Sequence, residues 1–153
     1  MPSLSLHSPL GEITLHEGAG DDGAPAIVAL DWGWGSHQEP TPLLVEAKRQ
    51  LDAYFDGTLA RFTLPLAPDG TPFQRRVWAA MQTIPKGETR RYRDLAAMVG
   101  SGPRAIGGAC GRNPIPVIIP CHRVLAANGP GGYSGHDGLD TKRALLRLEG
   151  VTI

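Results

Sequence analysis

The stretch Tyr92-Arg93-Asp94-Leu95-Ala96-Ala97-Met98-Val99-Gly100-Ser101-Gly102-Pro103-Arg104-Ala105-Ile106-Gly107-Gly108-Ala109-Cys110-Gly111-Arg112 decides the fold of the second half of the chain. Residues 92–99 read as a short helix closed by Gly100, Gly102-Pro103 turns the chain, and 104–112 form a second helix that Asn113-Pro114 stops. Two short helices joined by a tight glycine-containing turn match a helix-turn-helix, a pair found in DNA-binding proteins and also inside many enzymes. The second helix carries an internal penalty, because Gly107 and Gly108 each destabilise it by about 1 kcal/mol relative to alanine. Small residues let another body come close to the backbone. That body is either a neighbouring helix or the wall of a DNA groove. A helix with average side chains is about 10–12 Å across, whereas the minor groove is about 6 Å wide and the major groove about 12 Å. A face reduced to Ala and Gly suits the narrower groove, and the long polar side chains that read the major groove are nearly absent. Arg104 stands alone at the start of the helix.

Upstream of this pair, Thr71 caps Pro72-Phe73 into a helix that places Phe73, Val77, Trp78 and Met81 on one face, and Ile84-Pro85-Lys86-Gly87 breaks it. Pro65 to Gly70 reads as a linker. Before it, residues 3–7 and 12–16 alternate with period two around the turn Ser8-Pro9-Leu10-Gly11, and 26–30 read as a buried strand. Pro40-Thr41-Pro42 opens a helix whose Leu43, Leu44, Ala47, Leu51, Tyr54 and Phe55 recur at helical spacing up to Gly57. Residues 61–64 read as a further short strand. His7 and His16 lie on alternating segments and are read as structural. Downstream, the apolar run Val117-Ile118-Ile119 is expected to be a buried strand, and Asp140 is expected to cap a last helix over 141–149.

The chain has 153 residues, 41% hydrophobic and 20% charged, so it is long enough for a core and too apolar for disorder. Twenty glycines and fourteen prolines predict many turns. The longest apolar runs are far too short to span a bilayer, and no secretory signal is visible at the start. Two cysteines exclude a disulfide framework and a four-thiolate zinc site, and point to the cytoplasm. The net charge of zero hides a division. Residues 1–70 hold three Lys or Arg against ten Asp or Glu, a net of −7, whereas 71–153 hold twelve against five, a net of +7. A basic half facing a polyanion is one reading of that division, and chance variation in solvated charge is the other.

The second chemical feature is Ile118-Ile119-Pro120-Cys121-His122-Arg123-Val124. A thiol is an effective nucleophile as thiolate, and an adjacent imidazole and positive surroundings favour that form. Glu149 on the last helix is a candidate to orient His122, giving a Cys–His–Glu relay. A buried structural cysteine beside a surface histidine is an equally good reading of the same spacing. Cys110 reads as a small apolar residue, and a metal site from Cys110, Cys121 and His122 lacks both spacing and a fourth ligand.

Pro120-Cys121-His122-Arg123-Val124, preceded by Asn113-Pro114-Ile115-Pro116 and followed by Gly132-Tyr133-Ser134-Gly135, resembles the O6-alkylguanine-DNA alkyltransferase family. The resemblance extends from Gly70-Thr71-Pro72-Phe73-Gln74 and Ile84-Pro85-Lys86-Gly87-Glu88-Thr89 to Leu145-Leu146 and Glu149-Gly150. It implies an α+β fold: a ribonuclease-H-like strand and helix lobe over 1–68, then a winged-helix-like DNA-binding domain over 69–153 that carries the active cysteine. It implies DNA repair by minor-groove binding, base flipping and single-turnover transfer of the alkyl group from guanine O6 to Cys121. By the same resemblance His122 and Glu149 deprotonate Cys121 through a water, and Asn113 is the polar hinge beside the recognition helix. Tyr92 helps rotate the nucleotide and protonates the leaving guanine. Arg104 fills the stack left by the flipped base, and Thr71, Ala105, Gly107, Gly108, Arg112 and Arg123 join it on DNA. Pro116, Tyr133 and Ser134 resemble pocket walls, with the Ser134 region donating to guanine O6 and the Val124 carbonyl accepting from the exocyclic amine. The chain departs from the family in a turn shortened by two residues between Tyr92 and Arg104, and in His136 where the family often has Gly. It also lacks the zinc-binding Cys and His of some members, so no metal and no cofactor are expected. The resemblance implies double-stranded DNA rather than a membrane as partner, bound by a monomer that can cluster along it. Two other classes stay open: a non-catalytic DNA-binding module, and a Cys–His hydrolase of small esters or peptides, which would turn over beyond one equivalent.

Overall fold

Alternation in the first thirty residues becomes three strands, β1 (Ser3–Leu6), β2 (Ile13–Ala19) and β3 (Pro25–Trp32), paired antiparallel in that order. Leu4, Leu15 and Leu30 stand opposite one another, as do Leu6, Ile13 and Trp32. This computed structural model describes residues 1–133 and 135–153, and forms two compact units, Met1–Asp69 and Gly70–Ile153. In the first unit helix α1 (Pro42–Phe55) packs against all three strands and buries Leu44, Ala47, Leu51, Tyr54 and Phe55. Its start follows from Thr41, whose hydroxyl accepts from the Leu44 amide at 3.2 Å, and from Pro42 in the first turn. The histidines here are structural, as their alternation suggests. His16 bonds Ser3 Oγ through Nδ1 and Asp31 through Nε2, both at 2.8 Å, tying the three strands together, and His7 stacks on Trp34.

One expected strand is absent. Residues 61–64 are irregular because the Thr63 amide bonds the buried Gln50 side chain at 2.9 Å rather than a neighbouring strand. Pairing with β3 is confined to a single bridge between Ile27 and Leu66, flanked by Pro65 and Pro68.

The second unit holds α2 (Pro72–Met81), β4 (Arg90–Arg91), α3 (Tyr92–Val99), α4 (Pro103–Gly111), a 3₁₀ turn (Cys121–Arg123), β5 (Val124–Leu125) and α5 (Leu139–Leu148). Thr71 and Gln74 close a reciprocal capping box at the start of α2, and Gly70 is needed there because a Cβ would lie 2.5 Å from the Trp78 ring. Helices α2, α3 and α4 pack on one another, and buried Trp78 donates its indole N–H to the Ala109 carbonyl at 2.9 Å. Strands β4 and β5 pair in parallel, Arg90 with Val124 and Arg91 with Leu125. That pairing brings the first residue of α3, Tyr92, into the neighbourhood of the 3₁₀ turn that begins at Cys121.

The run Val117-Ile118-Ile119 is not the expected strand. It is a buried turn, in which Pro114, Pro116 and Pro120 offer no N–H and Asn113 closes the loop from inside. The Asn113 amide donates to the Ile119 carbonyl at 2.8 Å and its oxygen accepts from the Ile115 amide at 2.9 Å. Val117 adopts φ +73°, a left-handed conformation that strains a β-branched residue by about 1–3 kcal/mol. Asp140 is also not the cap it was expected to be: α5 starts two residues earlier, with Gly138 at φ +63° in the capping position and Asp140 in the first turn. Among the described residues no helix is long and apolar enough to cross a membrane.

Candidate active site

Cys121 opens the 3₁₀ turn, 7% exposed, with its amide bonded to the Ile119 carbonyl at 2.8 Å. Burial pushes its thiol up, while a hydrogen bond with the Asn113 side chain and the charge on Lys142 pull it back down. His122 is fully buried, and its Nε2 lies 2.8 Å from Glu149 Oε2. With that N–H donated to the carboxylate, Nδ1 carries the lone pair, and among the described residues no protein group bonds it. Burial holds the imidazole below its usual range despite Glu149, so it is neutral at pH 7 and able to accept a proton.

Glu149 does not serve His122 alone. Arg123 donates Nε to Oε1 at 2.8 Å and Nη2 to Oε2 at 2.9 Å, and its Nη1 donates to the Ile84 carbonyl at 2.6 Å. This corrects the expectation that Arg123 contacts DNA: the side chain is enclosed, and its donors are spent on a buried carboxylate and a backbone oxygen. Burial outweighs the upward pull of Glu149 on His122, and the nearby charges of Arg123 and Lys142 add smaller downward contributions.

A cavity of about 450 Å³ opens beside the thiol, lined by Tyr92, Pro103, Gly107, Cys110, Gly111, Asn113, Pro116, Cys121, Gly132, Tyr133 and Gly135. That volume is in the range of roughly 300–1,000 Å³ usual for small-molecule sites. Pro116 and Tyr133 line it. Val124 does not; it is fully buried behind the wall, and its carbonyl accepts from Lys142 Nζ at 2.7 Å, which corrects its expected place in the pocket. Ser134 lies outside the described residues. The Tyr92 hydroxyl accepts a hydrogen bond from the Gly132 backbone, and burial keeps the phenol protonated. Gly131, at φ +75°, must be glycine, because a Cβ would lie 2.6 Å from that hydroxyl. The buried Tyr133 hydroxyl has no partner among the described residues.

Along α4 the structure removes the packing reading of the glycines. A Cβ added at Gly107 or Gly108 would meet nothing within 4 Å, so no helix of this unit packs there. Gly108, Ala105, Arg104 and Arg112 are exposed, as is Thr71 at the start of α2. Cys110, expected to be a small apolar residue, lines the cavity, and Lys142 carried no expectation. The signal for Lys142 was its position, since 142, 145, 146 and 149 fall on one helical stripe with two leucines. Among the described residues no three His, Cys, Asp or Glu are placed to hold a metal ion.

Residues 4–68 match the family of the 6-O-methylguanine DNA methyltransferase ribonuclease-like domain, and residues 72–151 that of its DNA binding domain. The chain belongs to the 6-O-methylguanine DNA methyltransferase family. Curated members of the family similar to it are the methylated-DNA–protein-cysteine methyltransferase of Methanosarcina barkeri, 53% identical over 94% of each chain, and the constitutive one of Bacillus subtilis, 41% identical over 97% of this chain and 94% of that one. Among solved structures of the family, Mycobacterium tuberculosis OGT in complex with DNA is 43% identical, with a TM-score of 0.83 over 97% of this chain and 92% of that one.

Proposed function

We propose that this protein repairs DNA by moving the alkyl group of O6-alkylguanine onto Cys121, one group per molecule. The reaction class follows from the family, whose relatives above are named for methyl transfer from methylated DNA to a protein cysteine. The observation that carries the assignment to Cys121 is its thiol on the wall of the cavity, next in sequence to a buried, neutral imidazole whose other nitrogen is held by Glu149. The thiol proton passes toward His122 Nδ1. The sulfur attacks the alkyl carbon as the bond from that carbon to O6 breaks, and the departing guanine takes a proton from the Tyr92 hydroxyl. Asn113 steadies the thiol. The product is a thioether, which has no good leaving group, so the protein is consumed as a reagent.

An intact duplex cannot deliver guanine O6 to a thiol in a cavity, so the base leaves the stack, least expensively where alkylation has weakened its pair. Helix α4 enters the minor groove by its Ala105 and Gly108 face, with Arg104 replacing the flipped base and Arg112 and Thr71 near the backbone. The open space over Gly107 and Gly108 supports this docking. Pro116 and Tyr133 bound the base, and Ser134 is placed with them on the resemblance alone. The protein acts as a monomer on double-stranded DNA, and its two free thiols suit the reducing cytoplasm.

The test is to mix the protein with duplex carrying O6-methylguanine and weigh the intact chain. One added methyl group, absent in Cys121→Ser, is expected. Guanine restored with the mass unchanged, or product formed beyond one equivalent, overturns the proposal.

A further inference from the structure

Lys142 is the feature of the second unit that the site as described leaves without a purpose. It is fully buried, yet among the described residues no carboxylate lies within ion-pair distance of it. Lysine is almost never enclosed without a partner of opposite charge. Its ammonium instead donates to the Val124 carbonyl at 2.7 Å and the Gly132 carbonyl at 3.0 Å, and stands 6.0 Å over the Tyr92 ring. Those contacts belong to two different segments of the second unit. Val124 follows directly on the turn that presents Cys121. Gly132 lines the cavity and also donates to the Tyr92 hydroxyl. One cation thus joins the segment that carries the sulfur to the wall that carries the phenol.

We infer that Lys142 is a positioning residue for alkyl transfer: it fixes the Cys121 turn against the Gly132 wall and supplies the positive charge that draws Cys121 toward thiolate. This inference rests on Cys121 being the acceptor. Among the described residues packed around the sulfur, Lys142 is left as the uncompensated cation. Arg123 is compensated by Glu149, and His122 is neutral. Tyr92 from α3, Cys110 from α4 and Tyr133 from the wall are all held protonated and uncharged by burial. Burial lowers Lys142 itself to about 8, so it keeps its charge at neutral pH, and Cys121 as thiolate favours the charged form. An ammonium that is costly to enclose beside a thiol becomes less so beside a thiolate, and by reciprocity the thiolate gains as much from the ammonium.

The experiment reads the thiol directly and needs no DNA. The rate at which iodoacetamide alkylates Cys121, located by peptide mass, is followed against pH in the native protein, Lys142→Gln and Lys142→Met. Circular dichroism confirms that each variant folds, and Lys142→Gln, which keeps an N–H for one carbonyl, guards against loss of fold in the apolar variant. The midpoint should rise by about one pH unit in both, and the rate at neutral pH should drop about tenfold, with the plateau at high pH retained in Lys142→Gln. An unchanged midpoint in a folded variant, including a rate lowered equally at every pH, overturns the inference. Failure of the repair assignment shows elsewhere, as a DNA-dependent mass gain that survives in Cys121→Ser.

Discussion

Glu149 holds His122 and Arg123 with one carboxylate, and all three side chains are out of solvent. Removing one member of such an arrangement strands a buried charge, which destabilises by about 3–5 kcal/mol. Arg123→Ala should therefore lower the melting temperature sharply, while the fraction that remains folded binds duplex as the native chain does. A loss of DNA affinity in the folded fraction would restore Arg123 to the DNA surface. His122 gives a second expectation. Its folded pKa lies below the unfolded value near 6.5, so the unfolded chain binds the extra proton first as pH falls. Stability contributed by the neutral imidazole is present above that value and declines as pH drops below it. Denaturant midpoints measured from pH 7.5 to 5 should fall along that slope, and His122→Gln should flatten it. The pairing of His122 with Glu149 was legible as a candidate from residue types and from the expected last helix, whereas the residues alone left Cys121 equally open to a structural reading. The role of Arg123 was not legible, because an arginine in a basic half looks the same in sequence whether it points outward or completes a buried ion pair.

Helix α4 shows what a local pattern reveals. Its place in the chain and its glycines were readable, with each end one residue off, but whether another helix packs on those glycines needed the space around each Cα. That space is empty at Gly108, so Gly108→Ala meets no steric objection within the protein. The substitution should stabilise the fold by about 1 kcal/mol, seen in denaturant melts, and weaken binding to duplex in fluorescence anisotropy. A variant that is more stable and binds equally well would leave the glycine without a reason. The apolar run at 117–119 misled for a related reason: a short buried run looks the same as strand or as loop. Here the three prolines and the inward amide of Asn113 decide, and the sequence contains both without showing how they combine. Residues 61–64 failed as a strand because Gln50, thirteen positions before Thr63, supplies the partner that a strand would have supplied.

For the chain as a whole, the partition of charge coincides with the partition into units. Burial withdraws Arg123, Lys142 and Glu149 from the surface of the second unit, leaving ten cations there against four acids. Binding to duplex should be salt-sensitive and tolerant of sequence, with the logarithm of the association constant falling on the logarithm of salt with a slope of roughly −4, as a few phosphate contacts require. A flat dependence, measured by anisotropy between low and moderate salt, would remove the polyanion from the account. The imbalance was evident in the composition; which cations remain available was not, because enclosure depends on the fold. The same partition bears on the protein in the absence of DNA. A molecule of zero net charge lacks the mutual repulsion that keeps like particles apart, and here the acidic surface of one copy complements the basic surface of the next. Concentrated solutions near neutral pH will cloud as the buffer is diluted and clear again when salt or a polyanion is added.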